Sequence, residues 1–148
     1  MRLTLDSNIL IYGIDAATPE KHAIARDVIL RAALADAVLT AQALAEFFSV
    51  IRRKFPDRQA AGRDYAERWA AAFPIIPTTW DNVSAAALLA ERHKLQLWDS
   101  IIWQGARAAG ASMFLSEDLQ DGLSIDGMMV LDPFNPANRE QLDKLLEQ

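Results

Sequence analysis

The sequence contains no cysteine among its 148 residues, and only two histidines, His22 and His93. The first absence excludes a disulfide framework and any thiolate metal site, and it fits a reducing, cytoplasmic compartment. The histidines fall in or at the end of different helical stretches with no partner at ligand spacing, so both read as structural or surface residues rather than zinc ligands. No run approaches the ~20 apolar residues of a membrane span, and the N-terminus lacks a secretory signal's basic start, apolar stretch and cleavage site. No membrane partner is expected. A G-x-S-x-G elbow is also missing, which argues against a Ser-His-Asp hydrolase. Finally, there is no excess of positive charge: the formal net charge is -5, which counts against broad electrostatic attraction to nucleic acid.

What is present is a globular composition, 51% hydrophobic and 24% charged. The whole chain, 1–148, is the length of one domain with one core. Short β-prone runs alternate with longer alanine-rich helical runs, the pattern of βα units around a parallel sheet. Strands are predicted near Arg2 to Leu5, Ala37 to Leu39, Ile75 to Ile76, Ser112 to Leu115 and Met128 to Leu131. Helices are predicted from Thr18-Pro19 to about Ala35, near Gln42 to Lys54, Arg58 to Ala72, Trp80 to His93 and Ser100 to Ala109, and from Asn135-Pro136 to about Glu147. Gly110 is placed to close the helix before it. One segment is locally basic: Arg52, Arg53, Lys54, Arg58, Arg63 and Arg68 outnumber Asp57, Asp64 and Glu67. It reads either as the solvated faces of two helices or as a phosphate-binding surface.

The acids are more informative, because several fall where a strand ends or a helix begins. Asp6 follows the first strand inside the apolar run LTLDSNILIY, where an ionised carboxylate needs compensation for lost hydration. Asp99 opens the helix of LWDSIIWQGARAAG, and Asp118 follows the fourth strand in MFLSEDLQDG with Asp121 close behind. Side chains at the carboxyl ends of parallel strands gather at one edge, where open α/β sheets place their ligands. Each acid also has a purely structural alternative: a helix N-cap for Asp99, turn hydrogen bonding for Asp118 and Asp121. Glu46, in AQALAEFFSVIRRK, falls on one helix side with Gln42, Ser49 and Arg53, opposite an apolar stripe of Leu44, Phe48 and Ile51. Alone, it reads as a solvated helix residue. Four converging carboxylates would raise one another's pKa values unless a cation neutralised them, and all-oxygen ligation favours Mg²⁺ or Mn²⁺.

Taken in order, LDSNILIY around Asp6, AQALAEFF around Glu46, LWDSIIWQGARAAG around Asp99 and FLSEDLQDG with VLDPF around Asp118 resemble the PIN-domain family, and within it the VapC-type toxins of type II toxin-antitoxin pairs. The resemblance implies a three-layer α/β/α fold with a central, mainly parallel five-stranded sheet. It implies Mg²⁺- or Mn²⁺-dependent endoribonuclease activity, with Asp6, Glu46, Asp99 and Asp118 as the catalytic acids and Asp6, Asp99 and Asp118 holding metal. Ser7, Asn8, Ser116 and Asp121 take auxiliary places, and Arg52 and Arg53 are candidates to contact substrate. Asp132 stands where similar members carry asparagine. The implied partners are an RNA substrate, a cognate antitoxin and a second copy in a homodimer. Trp69, Trp80, Trp98 and Trp103, with Phe47 and Phe48, are expected in the core by default.

Two other enzyme classes also begin with a strand ending in aspartate. A haloacid-dehalogenase-type phosphatase needs a second aspartate where this chain has Asn8. A receiver domain needs an acidic pair and a lysine that are not evident. A PIN-like module that binds without turnover is the remaining alternative.

Overall fold

A computed structural model describes residues 1–147. The first strand, β1 (Leu3–Leu5), stops at Asp6 because that residue caps a short helix, α1 (Ser7–Tyr12), accepting from the Ser7 N–H. Chain order then runs α2 (Pro19–Ala32), β2 (Ala37–Thr40), α3 (Ala41–Lys54), α4 (Gln59–Ala72), β3 (Ile75–Ile76), α5 (Trp80–His93), α6 (Leu97–Ala108), β4 (Met113–Leu115), β5 (Ser124–Ile125), β6 (Met128–Leu131) and α7 (Arg139–Leu146). Single turns of 3₁₀ helix precede α4 and α7.

The strands form one sheet in the order β3-β2-β1-β4-β6-β5, parallel throughout except for β5 on β6. The five expected strands are all present. The sixth, β5, is a two-residue antiparallel edge, too short to show an alternating pattern in sequence. Alternation across the pleat divides the core in two. Leu3, Leu5, Met113 and Leu115 face a layer built from α1, α2, α3, α4 and α7. Phe114 and Val130 face Ile102, Trp103 and Ala106 of α6 and Leu89 of α5. Helices thus cover both faces, which is why the strands read as continuous apolar runs.

Several expectations are corrected. Helix α1 was not expected, because its apolar residues run on from β1 without a break. Helix α6 starts at Leu97, so Asp99 sits in its first turn and Gln96, not Asp99, holds the cap position. The buried stripe of α3 is Leu44, Phe47 and Ile51, while Phe48 is exposed. Of the four tryptophans expected in the core, Trp69 and Trp103 are buried but Trp80 and Trp98 are exposed. Trp80 and Trp98 both lie in the first turn of a helix, where part of the surface faces past the end of the sheet.

Candidate active site

The carboxyl ends of the adjacent strands β2, β1 and β4 meet at one edge. Thr40, the last residue of β2, caps α3 by accepting from the Ala43 N–H at 3.1 Å, which sets the helix that carries Glu46. Asp6 continues β1, its own N–H donating to the Leu115 carbonyl at 2.9 Å, and Ser116 continues β4. Helix α6 brings in Asp99 from the side. Between them lies an open cleft of about 680 Å³, lined by Glu46, Asp99 and Asp118 and by Ser7 and Arg53. Gln42, Ala45, Ser49, Val50, Gln96 and Trp98 complete its walls.

Asp6 is 1% exposed and forms the floor of this site rather than its wall. Oδ1 accepts from the Ser7 N–H at 2.7 Å, and Oδ2 accepts from the Ser116 hydroxyl at 2.7 Å and from Asn8 Nδ2 at 3.3 Å. The Ser116 hydroxyl in turn accepts from the Asp118 N–H at 3.2 Å, while Asn8 Oδ1 accepts from the Glu117 N–H at 3.5 Å. The expected Ser7, Asn8 and Ser116 are therefore all brought to Asp6. The loop bearing Asp118 is further tied to the first helices by Glu117, which pairs with Lys21 at 2.7 Å and accepts from the Tyr12 hydroxyl at 3.1 Å.

The four acids are close enough to act on one another. Burial pushes Asp6 up to about 7 in spite of its hydrogen bonds, with Asp99 and Asp118 adding to the rise. Burial likewise pushes Glu46 up to about 8, reinforced by Asp6, Asp99 and Asp118. Asp99 is raised by burial and by Asp118. Most telling is Glu46 Oε2, which is buried and has no hydrogen-bond partner. An orphaned carboxylate oxygen facing three other acids is an arrangement that a hard cation would complete. Among the described residues no group of three acidic or histidine side chains stands in a ready-made ligand arrangement. Mg²⁺ is a cation that binds through one or two carboxylates directly and keeps several waters.

Two expected residues, Asp121 and Arg52, fall elsewhere. Asp121 does not line the cleft. It accepts from the Asp132 N–H at 3.0 Å, Asn135 Nδ2 at 3.0 Å and Asn138 Nδ2 at 2.8 Å, so it braces the turn before α7. Partial burial pushes its pKa up, but these donors outweigh that and hold it below the usual value. Arg52 faces a neighbouring depression with Phe48 and Arg63, whereas Arg53 lines the cleft itself. Asp132 accepts from the Phe134 N–H at 2.9 Å in the same turn. His22 Nδ1 donates to the Tyr12 carbonyl at 2.7 Å, and His93 ends α5 on the surface, so neither contributes to the cleft. Gln42, Ser49, Gln96 and Trp98 are cleft residues that the sequence reading did not single out as such. The first two were legible from their helical spacing to Glu46.

A three-layer α/β/α fold with carboxylates converging at the ends of three neighbouring parallel strands defines a class of acidic-cleft proteins. The PIN domain model matches residues 3–120, a stretch that holds all four acids, and the chain belongs to that family. Among solved structures it is similar to VapC20 of Mycobacterium tuberculosis, described as a Sarcin-Ricin loop cleaving toxin. That match has a TM-score of 0.67 and 15% identity, covering 78% of this chain and 89% of that one. It is also similar to a toxin-antitoxin complex from Klebsiella pneumoniae (TM-score 0.62, 21% identity, 88% and 97% covered). A third similar structure is VapBC2 of Rickettsia felis bound to a DNA fragment from its promoter (TM-score 0.62, 13% identity, 88% and 97% covered). No curated protein sequence matches the chain significantly.

Proposed function

We propose that this protein is a Mg²⁺- or Mn²⁺-dependent endoribonuclease that hydrolyses RNA phosphodiester bonds, and that it is the toxin of a toxin-antitoxin pair. The observation that carries the reading is the orphaned, buried Oε2 of Glu46 among Asp6, Asp99 and Asp118 at the floor and walls of an open cleft. Membership of the PIN family and the toxins among its structural relatives support the same reading.

Asp6, Asp99 and Asp118 would hold the ion, directly or through water. When bound, it supplies Lewis-acid polarisation of the phosphate and lowers the pKa of the attacking water. Glu46, on the wall of the cleft, would accept the proton of that water once a bound cation offsets the neighbouring carboxylates and leaves it ionised. Ser116, Asn8 and the Ser7 N–H fix the orientation of the Asp6 carboxylate, so that its oxygens are aimed before substrate arrives. Arg53 offers the cleft's cationic contact for a phosphate oxygen.

The whole chain acts as a single PIN-like domain in the cytoplasm. No helix among the described residues is long and apolar enough to cross a membrane. A cognate antitoxin and a homodimer partner would cover exposed apolar side chains such as Leu30 on α2, Leu34 in the turn after it and Leu88 on α5. The deciding experiment incubates purified protein with a total RNA pool in Mg²⁺, beside chelator-treated and Asp6→Asn controls. Cleavage confined to the wild type with metal supports the assignment. A wild type that binds RNA but never cuts it would instead make the protein a binding module.

A further inference from the structure

Trp98 presents a physical puzzle. An indole is the largest apolar side chain, yet this one is 56% exposed in the first turn of α6, next to Asp99 and on the wall of the acidic cleft. The rest of the wall is mostly polar or charged, with Ala45 and Val50 its only apolar members, so the ring stands out as the one large apolar group there. The cleft is also a poor electrostatic trap for a polyanion: Arg53 is its one cation, against Glu46, Asp99 and Asp118 on its walls and Asp6 beneath. Inside the cleft itself phosphate attraction is too weak to supply most of the affinity for a nucleic acid, Arg52 and Arg63 lying in the depression beside it. A neutral contact must, and the flat face of an unpaired base on an exposed indole is the contact that combines large area with indifference to charge.

We propose that Trp98 is the stacking platform for an unpaired nucleobase beside the scissile phosphate, with Arg53 taking a neighbouring phosphate across the cleft. This rests on the nuclease reading and sharpens it: Trp98 selects substrates whose base at that position is free to leave its own stack. Gln42, Ser49 and Gln96 lie around the same cleft, with amide and hydroxyl groups able to meet the edge of that base. Because every base has a π-face, the platform itself is tolerant of sequence, and discrimination falls to these edge contacts.

The test is equilibrium binding of the full-length protein, with Ca²⁺ replacing Mg²⁺, to fluorescein-labelled oligouridine and oligoadenosine of about ten nucleotides. Trp98→Ala should weaken binding about 5- to 100-fold, Trp98→Phe should restore most of it, and Trp80→Ala, at a tryptophan still more exposed but outside the cleft, should leave it unchanged. An abasic scan of the RNA should find one position where losing the base weakens the wild type but not Trp98→Ala. A duplex of the same length should bind Trp98→Ala and wild type alike. Equal binding of single strands by Trp98→Ala and wild type would overturn the stacking role while leaving the nuclease reading to its own cleavage assay. Loss of binding with Trp98→Ala that is insensitive to every abasic substitution, or that accompanies a change of oligomeric state in sedimentation, would overturn it in favour of a packing role. A wild type that binds no RNA would overturn both readings.

Discussion

The Ser116 hydroxyl donates to Asp6 Oδ2 at 2.7 Å while accepting the Asp118 N–H at 3.2 Å, so one oxygen atom joins the buried acid of β1 to the exposed acid beyond β4. Asp6 and Ser116, 110 positions apart, are thereby held in one hydrogen-bonded unit with the Asp118 N–H, and Asp6 cannot reorient without releasing the Asp118 loop. Replacing Ser116 by Ala should remove both bonds, raise the Asp6 pKa further and weaken Mg²⁺ binding about 10- to 100-fold. Titration calorimetry on the variant, with circular dichroism to verify the fold, measures this directly. Unchanged metal affinity would mean that Asn8 and the Ser7 N–H suffice to aim the carboxylate.

Asp6→Asn should abolish metal-dependent cleavage while keeping the fold, because the amide oxygen can still accept from the Ser7 N–H while its NH2 donates to the Ser116 hydroxyl. It should also alter the pH dependence of stability. Asp6 and Glu46 hold protons in the metal-free fold up to about 7 and about 8, whereas the unfolded chain releases them nearer 4. Their stabilising contribution is therefore complete below about pH 4 and is lost as pH rises through 7 to 8. Ionising Asp6 alone costs the metal-free fold up to about 4 kcal/mol. In chelator, the melting temperature should fall from pH 5 to pH 8, and Asp6→Asn should flatten much of that slope. A wild-type profile that is level over this range would contradict the burial argument.

Metal should reverse the same loss. At pH 8, Mg²⁺ at about a hundred times its dissociation constant should stabilise the wild type by about 2.7 kcal/mol, or roughly 5–10 °C in melting temperature for a chain of this size. The gain should shrink toward pH 5, where protons occupy the same oxygens, and should vanish in Asp6→Asn. Differential scanning fluorimetry across pH and Mg²⁺ concentration tests both dependences. A gain that is largest at pH 5 would place the ion elsewhere.

Asp121 separates from the other acids in this respect. Its three accepted hydrogen bonds brace the segment from Asp132 to Asn138, so Asp121→Ala should destabilise the protein by about 1–3 kcal/mol and leave the folded enzyme's cleavage rate near that of wild type. Urea denaturation and a rate measured well below the unfolding midpoint distinguish the two effects.

Much of this architecture was legible because its signals are local. Thr18-Pro19, Asn135-Pro136 and Gly110 punctuate helices through their own backbone constraints, and all three do so here: Pro19 opens α2, Asn135 caps the turn into α7 and Gly110 takes φ +90° after α6. Glu46 was placed on the correct side of α3 by angular spacing alone. What escaped detection depended on tertiary context. Phe47 and Phe48 are adjacent and chemically identical, so only the position of α4, whose Trp69 stacks edge-on against Phe47, decides which is buried. Asp121 and Asp118 share one turn motif, and their roles diverge only because Asn135 and Asn138 reach back to the former. Trp98 reads as a core residue because composition cannot reveal that its helix starts at Leu97, three residues before the expected Ser100, at the rim of a cleft.

The pairing of β1 with β4 bears on when the site comes into being during synthesis. Asp6, Glu46 and Asp99 leave the ribosome before Ser116 and Asp118, and until β4 inserts beside β1 the first strand has only β2 as a neighbour. The nascent chain therefore carries three of its four acids without the hydroxyl that orients the first of them or the loop that supplies the fourth. The cleft can therefore be completed only after about four-fifths of the chain has been made.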